Sequence, residues 1–379
     1  MVAAVLLFSP GCTTDENDIE RMNYASAIGI DYKDGKYYGY IQLISFQSTA
    51  KSEDQKQEAR TWVGEGTGAT LDEAIFTIYR TSQERIYWAH LTAIVVSEAA
   101  FKQDFESFYE IISRYYEFRR TPWVFGTKQS VREILTTGGF FGQSSLSTIL
   151  HEPKGTYEQS STVQSIQLHR LIAQIYEPGF TSIIPTLAVN KKQWTENASA
   201  DPKLTVDGAI FLKENKFQSY IPIKNLSGLR WLQSGVVRAG VPVPDEATPT
   251  AQIVINNPKT KIKYVAQEDG IPRFDISLKA SAYVVSRFDH SLSNLRPLTE
   301  ETQKAVEDEI RKLFVTGLKK KTDVLNLEYF MYRHHFPQWK AMFDADKLLL
   351  NKDSLRNIYA DIKIIHSSSE QNNPIQRGQ

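Results

Sequence analysis

The sequence predicts an α+β fold of three consecutive mixed domains, with largely antiparallel sheets flanked by helices. Three observations predict it. Two hairpin signals, Lys33-Asp34-Gly35 and Lys213-Glu214-Asn215, each lie between β-rich stretches, and Asp-Gly supplies the positive φ that a tight turn needs. Strand-like and helix-like stretches come in clusters without a regular βαβ rhythm. Two polar stretches that contain proline, "KKQWTENASADPK" and "GVPVPDEATPT", interrupt the pattern and set boundaries near Asn197 and Val243. The expected domains are thus 23–197, 198–243 and 244–368, followed by a disordered tail over 369–379.

The elements follow in order. "NYASAIGIDY" and "KYYGYIQLISF" form the opening antiparallel pair, a charged loop "KSEDQKQEAR" follows, and "RTWVGEG" reads as a third strand. Thr70 with Glu73 forms a capping box, and Ala74, Ile75, Ile78 and Tyr79 recur at helical spacing, so a helix is expected from Leu71 to Gln83. "LTAIVVS" and "TPWVFGTK" read as strands on either side of an aromatic-rich amphipathic helix, "AAFKQDFESFYEIISRYYEF", and Ser130 with Glu133 caps a short helix. A further helix from Thr162 must end at Pro178-Gly179, and Pro185 marks the next extended segment as an edge. The middle domain carries the second hairpin and a short helix, "IKNLSGLRWLQSG". Three strands then precede the longest helix, "EETQKAVEDEIRKLFVTGLKKK", after Thr299. Val306, Ile310, Leu313 and Gly317 line one of its faces, and its acidic first turn and basic last turn suit the macrodipole.

Charge excludes one class of partner. Lys plus Arg equals Asp plus Glu at 44 each, so no global basic field favours nucleic acid. Past Phe8 no apolar run approaches the roughly 20 residues of a spanning helix.

The chain holds one cysteine, Cys12, which rules out an internal disulfide and a cysteine metal cluster. It follows an apolar run and Ser9-Pro10-Gly11, the pattern of the later part of an export signal. The stretch is similar to the bacterial lipoprotein box, in which the thiol is diacylated and the peptide cut just before it. Residues 1–11 are then a signal peptide and 12–22 a lipidated tether; no Lys or Arg precedes the apolar run, which fits either a start further upstream or a weak signal.

No motif offers catalysis. "GEGTGAT" has Ala69 where a dinucleotide fingerprint wants glycine and lacks the Gly-Lys-Ser/Thr ending of a phosphate loop, so it reads as a strand-to-helix turn. His334 and His335 are adjacent and diverge on a helix, which favours packing over metal binding. His90 reads as a satisfied core histidine, and the Lys319-Lys320-Lys321 run, with Arg311 and Lys312, as a charged helix end facing water. No catalytic, cofactor or metal residue is assigned.

Taken together, "GC…DIERMNYASAIGID", "GTGATLDEAIFTIYRTSQERIYWAHLTAIVVSE", "VDGAIFLKENKFQSYIPIKNLSGLRWL" and "KTDVLNLEYFMYRHHFPQWK" resemble the Ger(x)C family, the C-subunit lipoproteins of spore germinant receptors. The resemblance implies three α+β domains, lipid on Cys12, and no enzymatic activity or cofactor. It also implies a place on the outer face of the spore inner membrane beside integral A and B subunits, in a complex that responds to nutrients. A solute-binding or other envelope lipoprotein is the alternative. A solute-binding lipoprotein would show two α/β lobes with parallel sheets, which the repeated hairpins oppose.

Overall fold

The first hairpin forms where Asp34 and Gly35 take φ of 50° and 77°, the pair of positive angles that matches strand twist. It joins β1 (Asn23–Lys33) to β2 (Lys36–Ile44), and β3 (Trp62–Gly68) extends the sheet. A computed structural model describes residues 23–44, 60–103, 119–266, 271–287, 295–345 and 350–367. Cys12, the 12–22 tether, the tail and most of the aromatic-rich helix expected after Ala99 lie outside these residues.

The helix α1 (Leu71–Tyr79) starts at the expected cap: Thr70 Oγ1 accepts the Glu73 N–H at 3.2 Å, and the Glu73 carboxylate accepts the Ala69 N–H at 2.7 Å. It ends four residues short of Gln83. The strand-to-helix turn expected at "GEGTGAT" is instead mostly strand, since Gly64 to Gly68 belong to β3. The reason is steric. A Cβ on Gly66 would stand 2.1 Å from the Ala74 carbonyl, so glycine lets α1 lie directly on the strand.

The chain continues through β4 (Ile86–Tyr87), β5 (Ala93–Ser97), α2 (Glu98–Phe101), β6 (Trp123–Thr127), α3 (Val131–Thr136), α4 (Pro153–Gln159), β7 (Ile166–Gln167), α5 (Leu168–Ile175) and β8 (Thr181–Asn190). Strands β1, β5, β6 and β8 lie side by side and run parallel. The sheets are largely antiparallel, as expected, and the parallel direction of this centre is the part that a run such as "AIVV", which shows burial and carries no direction, does not reveal. Ile94, Val96 and Val124 enter the core on one face, Ala93, Val95 and Phe125 the core on the other. Pro185 therefore stands inside the sheet, not at an edge. The ladder of β8 to β6 is confined to Gly126 and Thr186, so the missing N–H costs at most one rung.

Beyond β8 a small hairpin of β9 (Thr195–Glu196) and β10 (Ser199–Ala200) leads to β11 (Lys203–Lys213) and β12 (Lys216–Pro222), joined at Glu214 and Asn215 with φ of 50° and 63°. Strand β11 pairs with β8 from Lys203 opposite Asn190 to Lys213 opposite Thr181. The boundary expected near Asn197 thus falls in a connection within one sheet, whose order is β12-β11-β8-β6-β5-β1-β2-β3.

A second sheet, in the order β13-β14-β15-β16, uses β13 (Ala239–Val243), β14 (Ala251–Val265), β15 (Arg273–Arg287) and β16 (Leu355–Ser367). Val243 pairs with Ala251, so the second expected boundary also lies inside a sheet. The middle segment is divided: its hairpin completes the first sheet, and its last strand edges the second. "AQIVINN" and "KIKYVAQ" are one strand, β14, interrupted by a bulge between Asn256 and Lys259.

Helix α6 (Leu295–Lys319) covers one face of this sheet, burying Val306, Ile310, Leu313 and Gly317 as expected. Thr299 lies within it rather than before it, its hydroxyl donating to the Leu295 carbonyl. Two short helices, α7 (Leu327–His334) and α8 (Phe336–Asp344), follow. Phe211 and Ile221 of the first sheet share one core with Trp231, Phe274 and Ile310.

Candidate functional site: the junction of the two sheets

Asn326, just before α7, docks that helix onto the first sheet. Its φ of 55° turns the side chain toward Thr181, the first residue of β8. There Oδ1 accepts the Thr181 N–H at 2.7 Å and Nδ2 donates to the Thr181 carbonyl at 3.1 Å. Beside it Lys213, which ends β11, forms an ion pair with the buried Glu328, and Ser219 and Thr322 share a hydrogen bond of 2.9 Å. Burial raises the pKa of Glu328, with Lys213 opposing. Burial likewise raises Asp323, whose carboxylate accepts the Glu328 N–H at 2.8 Å. Phe180 meets Tyr329 edge to face at 4.6 Å. A cleft of about 360 Å³ opens next to these contacts, lined by Ile183, Leu229, Ile262 and Leu325 with Arg170 and His334. Gln174 Oε1 is buried there without a hydrogen-bond partner among the described residues. Charge and backbone pairing at this junction hold two sheets in one orientation.

The seat of α6 is a second fixed point. A Cβ on Gly228 would stand 2.3 Å from the Glu309 carbonyl, so only glycine lets the turn Ser227–Trp231 touch the helix backbone. The Glu309 carboxylate then accepts from both neighbours: Arg230 at 2.8 and 3.0 Å and the Trp231 indole N–H at 2.7 Å. Trp231 is fully buried. The "GLRWL" stretch thus reads as one device: close approach, ion pair and anchor.

His151 lies in a buried polar cluster of the first sheet. Its Nε2 is 3.0 Å from Gln42 Oε1 and its Nδ1 2.5 Å from Thr92 Oγ1. Gln42 Oε1 also accepts from Ser26 at 2.5 Å, while Gln42 Nε2 donates to the Leu135 carbonyl at 2.6 Å and Ser145 at 2.9 Å. Since the Gln42 Nε2 protons go to Leu135 and Ser145, its Oε1, which accepts from Ser26, also accepts a hydrogen bond from the Nε2–H of a neutral imidazole. Burial pushes the His151 pKa down to about 3. Every hydrogen-bonding position of the Gln42 amide is filled, which suits a structural pin.

The predicted residues fall as follows. His334 and His335 pack, the former 4.8 Å from the Phe330 ring and the latter 5.0 Å from that of Tyr264. Lys320 and Lys321 are exposed at the end of α6, and Arg311 donates to the Leu355 and Arg356 carbonyls. His90 is exposed, against the expected core position, with its ring 5.1 Å from that of Tyr24. Among the described residues no group of three His, Cys, Asp or Glu could hold a metal ion. Sequence reasoning missed Asn326, Glu328, Lys213 and Glu309. Only Arg230-Trp231 after a glycine hinted at a buried partner.

Comparison with known proteins divides the chain in two. Residues 15–189 match the family model described as spore germination protein N-terminal domain, and residues 207–368 match spore germination B3/GerAC like, C-terminal. Among solved structures the crystal structure of the GerBC protein is similar, with a TM-score of 0.53 and 20% identity, covering 92% of this chain and 100% of that one. No curated protein sequence matches.

Proposed function

The chain belongs to the Ger(x)C family of spore germination proteins, and from that premise we propose that it is the lipid-anchored C subunit of a germinant receptor. The observation that carries this reading is the succession of two spore germination domains across nearly the whole chain. In this reading Cys12 bears the diacylglyceryl anchor, and integral A and B subunits hold the complex in the membrane. The folded body sits on the outer face of the spore inner membrane and acts by contact, without catalysis. Its need for an anchor is consistent with the described residues, among which no helix is long and apolar enough to cross a membrane. One acyl chain gives only marginal membrane binding, and two hold firmly.

Mass spectrometry of the N-terminus from spores tests the anchor, with a diacylated Cys12 as the expected species. Cys12→Ala should leave a folded protein that is lost from the membrane fraction, in spores that respond poorly to nutrient. An unmodified Cys12, or a variant that stays membrane-bound and germinates at the normal rate, overturns the reading.

A further inference from the structure

The second sheet has one face covered by α6 and one face open, and the open face is basic. Along β14 the side chains of Lys259, Lys261 and Lys263 alternate outward, while Ile262 and Tyr264 pack toward the core. Lys279 on β15 and Arg356 and Lys363 on β16 are also exposed. Against these six cations stand Asp275 and Asp361, and both are engaged: Asp275 by Arg356 at 2.6 Å and by Asn357, Asp361 by Lys279 at 3.6 Å. Among the described residues Lys259, Lys261 and Lys263 have no ion pair.

The register places Lys259 directly opposite Lys279, and like charges across a strand pair destabilise it, while Lys261 stands opposite Ser277 and Lys263 opposite Asp275, which Arg356 already engages. Lys261 and Lys263 repeat the charge at about 7 Å intervals on the same face. In a chain with equal numbers of cations and anions, this face carries a local excess of positive charge among the described residues. Tyr359, 58% exposed and opposite Ser277 in the middle of the face, and Ile365, 60% exposed toward its end, add an amphipathic ring and an aliphatic group to the lysines. Lysine stems that lie along apolar surface with their ammonium groups outward, beside an interfacial tyrosine, match the headgroup layer of an anionic bilayer.

We infer that the open face of the second sheet rests on an anionic membrane surface, the lysines of β14 supplying the contact. The inference builds on the membrane-anchored reading and adds the orientation of the body. Its test removes the anchor, so the two can fail separately: N-terminal mass decides the lipid, and vesicles decide the face. The full chain carrying Cys12→Ala is titrated with vesicles of phosphatidylglycerol and phosphatidylcholine, and with phosphatidylcholine alone. Binding is expected only to the anionic vesicles and should weaken steeply with salt. Lys259→Gln, Lys261→Gln and Lys263→Gln combined should lower the affinity about 100-fold, on about a fivefold effect per lysine. The same three positions changed to Arg should keep it. Circular dichroism melting confirms that each variant is folded.

Equal binding to both vesicle types overturns the proposal, as does a folded Gln variant that binds within threefold of its parent. Beyond Ile255 no described strand pairs with β14 on its β13 side, and lysine also guards open strand edges. If the Gln variant self-associates in gel filtration while its vesicle affinity holds, edge protection is the role and the membrane face is wrong. Indifference to anionic vesicles with salt-sensitive capture of a polyglutamate probe assigns the face to an acidic protein instead, and equally overturns it.

Discussion

The centre of the first sheet and the C-terminal sheet are built from strands of similar β propensity, yet they are finished differently. Strands β5 and β6 have core on both faces, and their five residues each are almost uninterrupted apolar sequence. Strands β14, β15 and β16 bury one face in the core that α6 closes and give much of the other to solvent, and β15, β16 and the part of β14 from Asn256 onward alternate residue by residue. The first arrangement leaves no surface for a partner, and the second leaves a broad one. Strength and availability are thus separated within one chain. The sheet that completes the rigid body is not the one that offers a face.

Substitution at the two kinds of position should give the largest contrast. Phe125 is fully buried between strand neighbours and α3 contacts, so Phe125→Ala should cost about 3–5 kcal/mol in urea unfolding. Tyr359→Ala on the open face should stay within about 0.5 kcal/mol. Equal losses at both sites would mean that the open face is covered in solution.

A smaller effect tests the seat of α6, on which the one-sided sheet depends. Gly228→Ala drives a methyl group into the Glu309 backbone and should destabilise by about 1–3 kcal/mol. Gly155, inside α4 with open space around it, provides the control. Gly155→Ala should stabilise by about 0.5–1 kcal/mol through helix propensity. Thermal melts of the two variants moving in the same direction would show that the contact at Gly228 does not set the packing.

The mildest test is titration of the two-sided sheet. The His151 pKa is depressed when folded, so the unfolded chain takes up the proton first. The stability that neutral His151 contributes is complete above about pH 6.5 and is lost as pH falls toward about 3, by about 1.4 kcal/mol per pH unit. Between pH 6 and 5, above most carboxylate titrations, His151→Gln should flatten the pH dependence by one proton's worth. An unchanged slope would show that His151 meets water in the folded protein.

How much of this was legible in the sequence depended on the range of the interaction. The hairpins at Asp34-Gly35 and Glu214-Asn215, the Thr70 and Ser130 caps and the buried stripe of α6 were readable, because each rests on residues within one or two turns of each other. The parallel direction of β1, β5, β6 and β8 was not, since it depends on how the chain crosses over between strands. The polar segment around Asn197 looked like a linker and proved to be a hairpin between paired strands, because composition reports exposure and not which strands meet beyond it. Of the junction, only "GLRWL" carried a trace.

The sequence by itself determined where the chain turns, which residues are apolar on one face, and the family resemblance carried by its motif blocks. The tertiary structure alone decided that Asn326 reaches Thr181, 145 positions away, that Lys213 finds Glu328, and that the lysines of β14 share one uncovered face. Those facts follow from register and packing between distant segments, where the energy is shared among many contacts and leaves no local pattern to read.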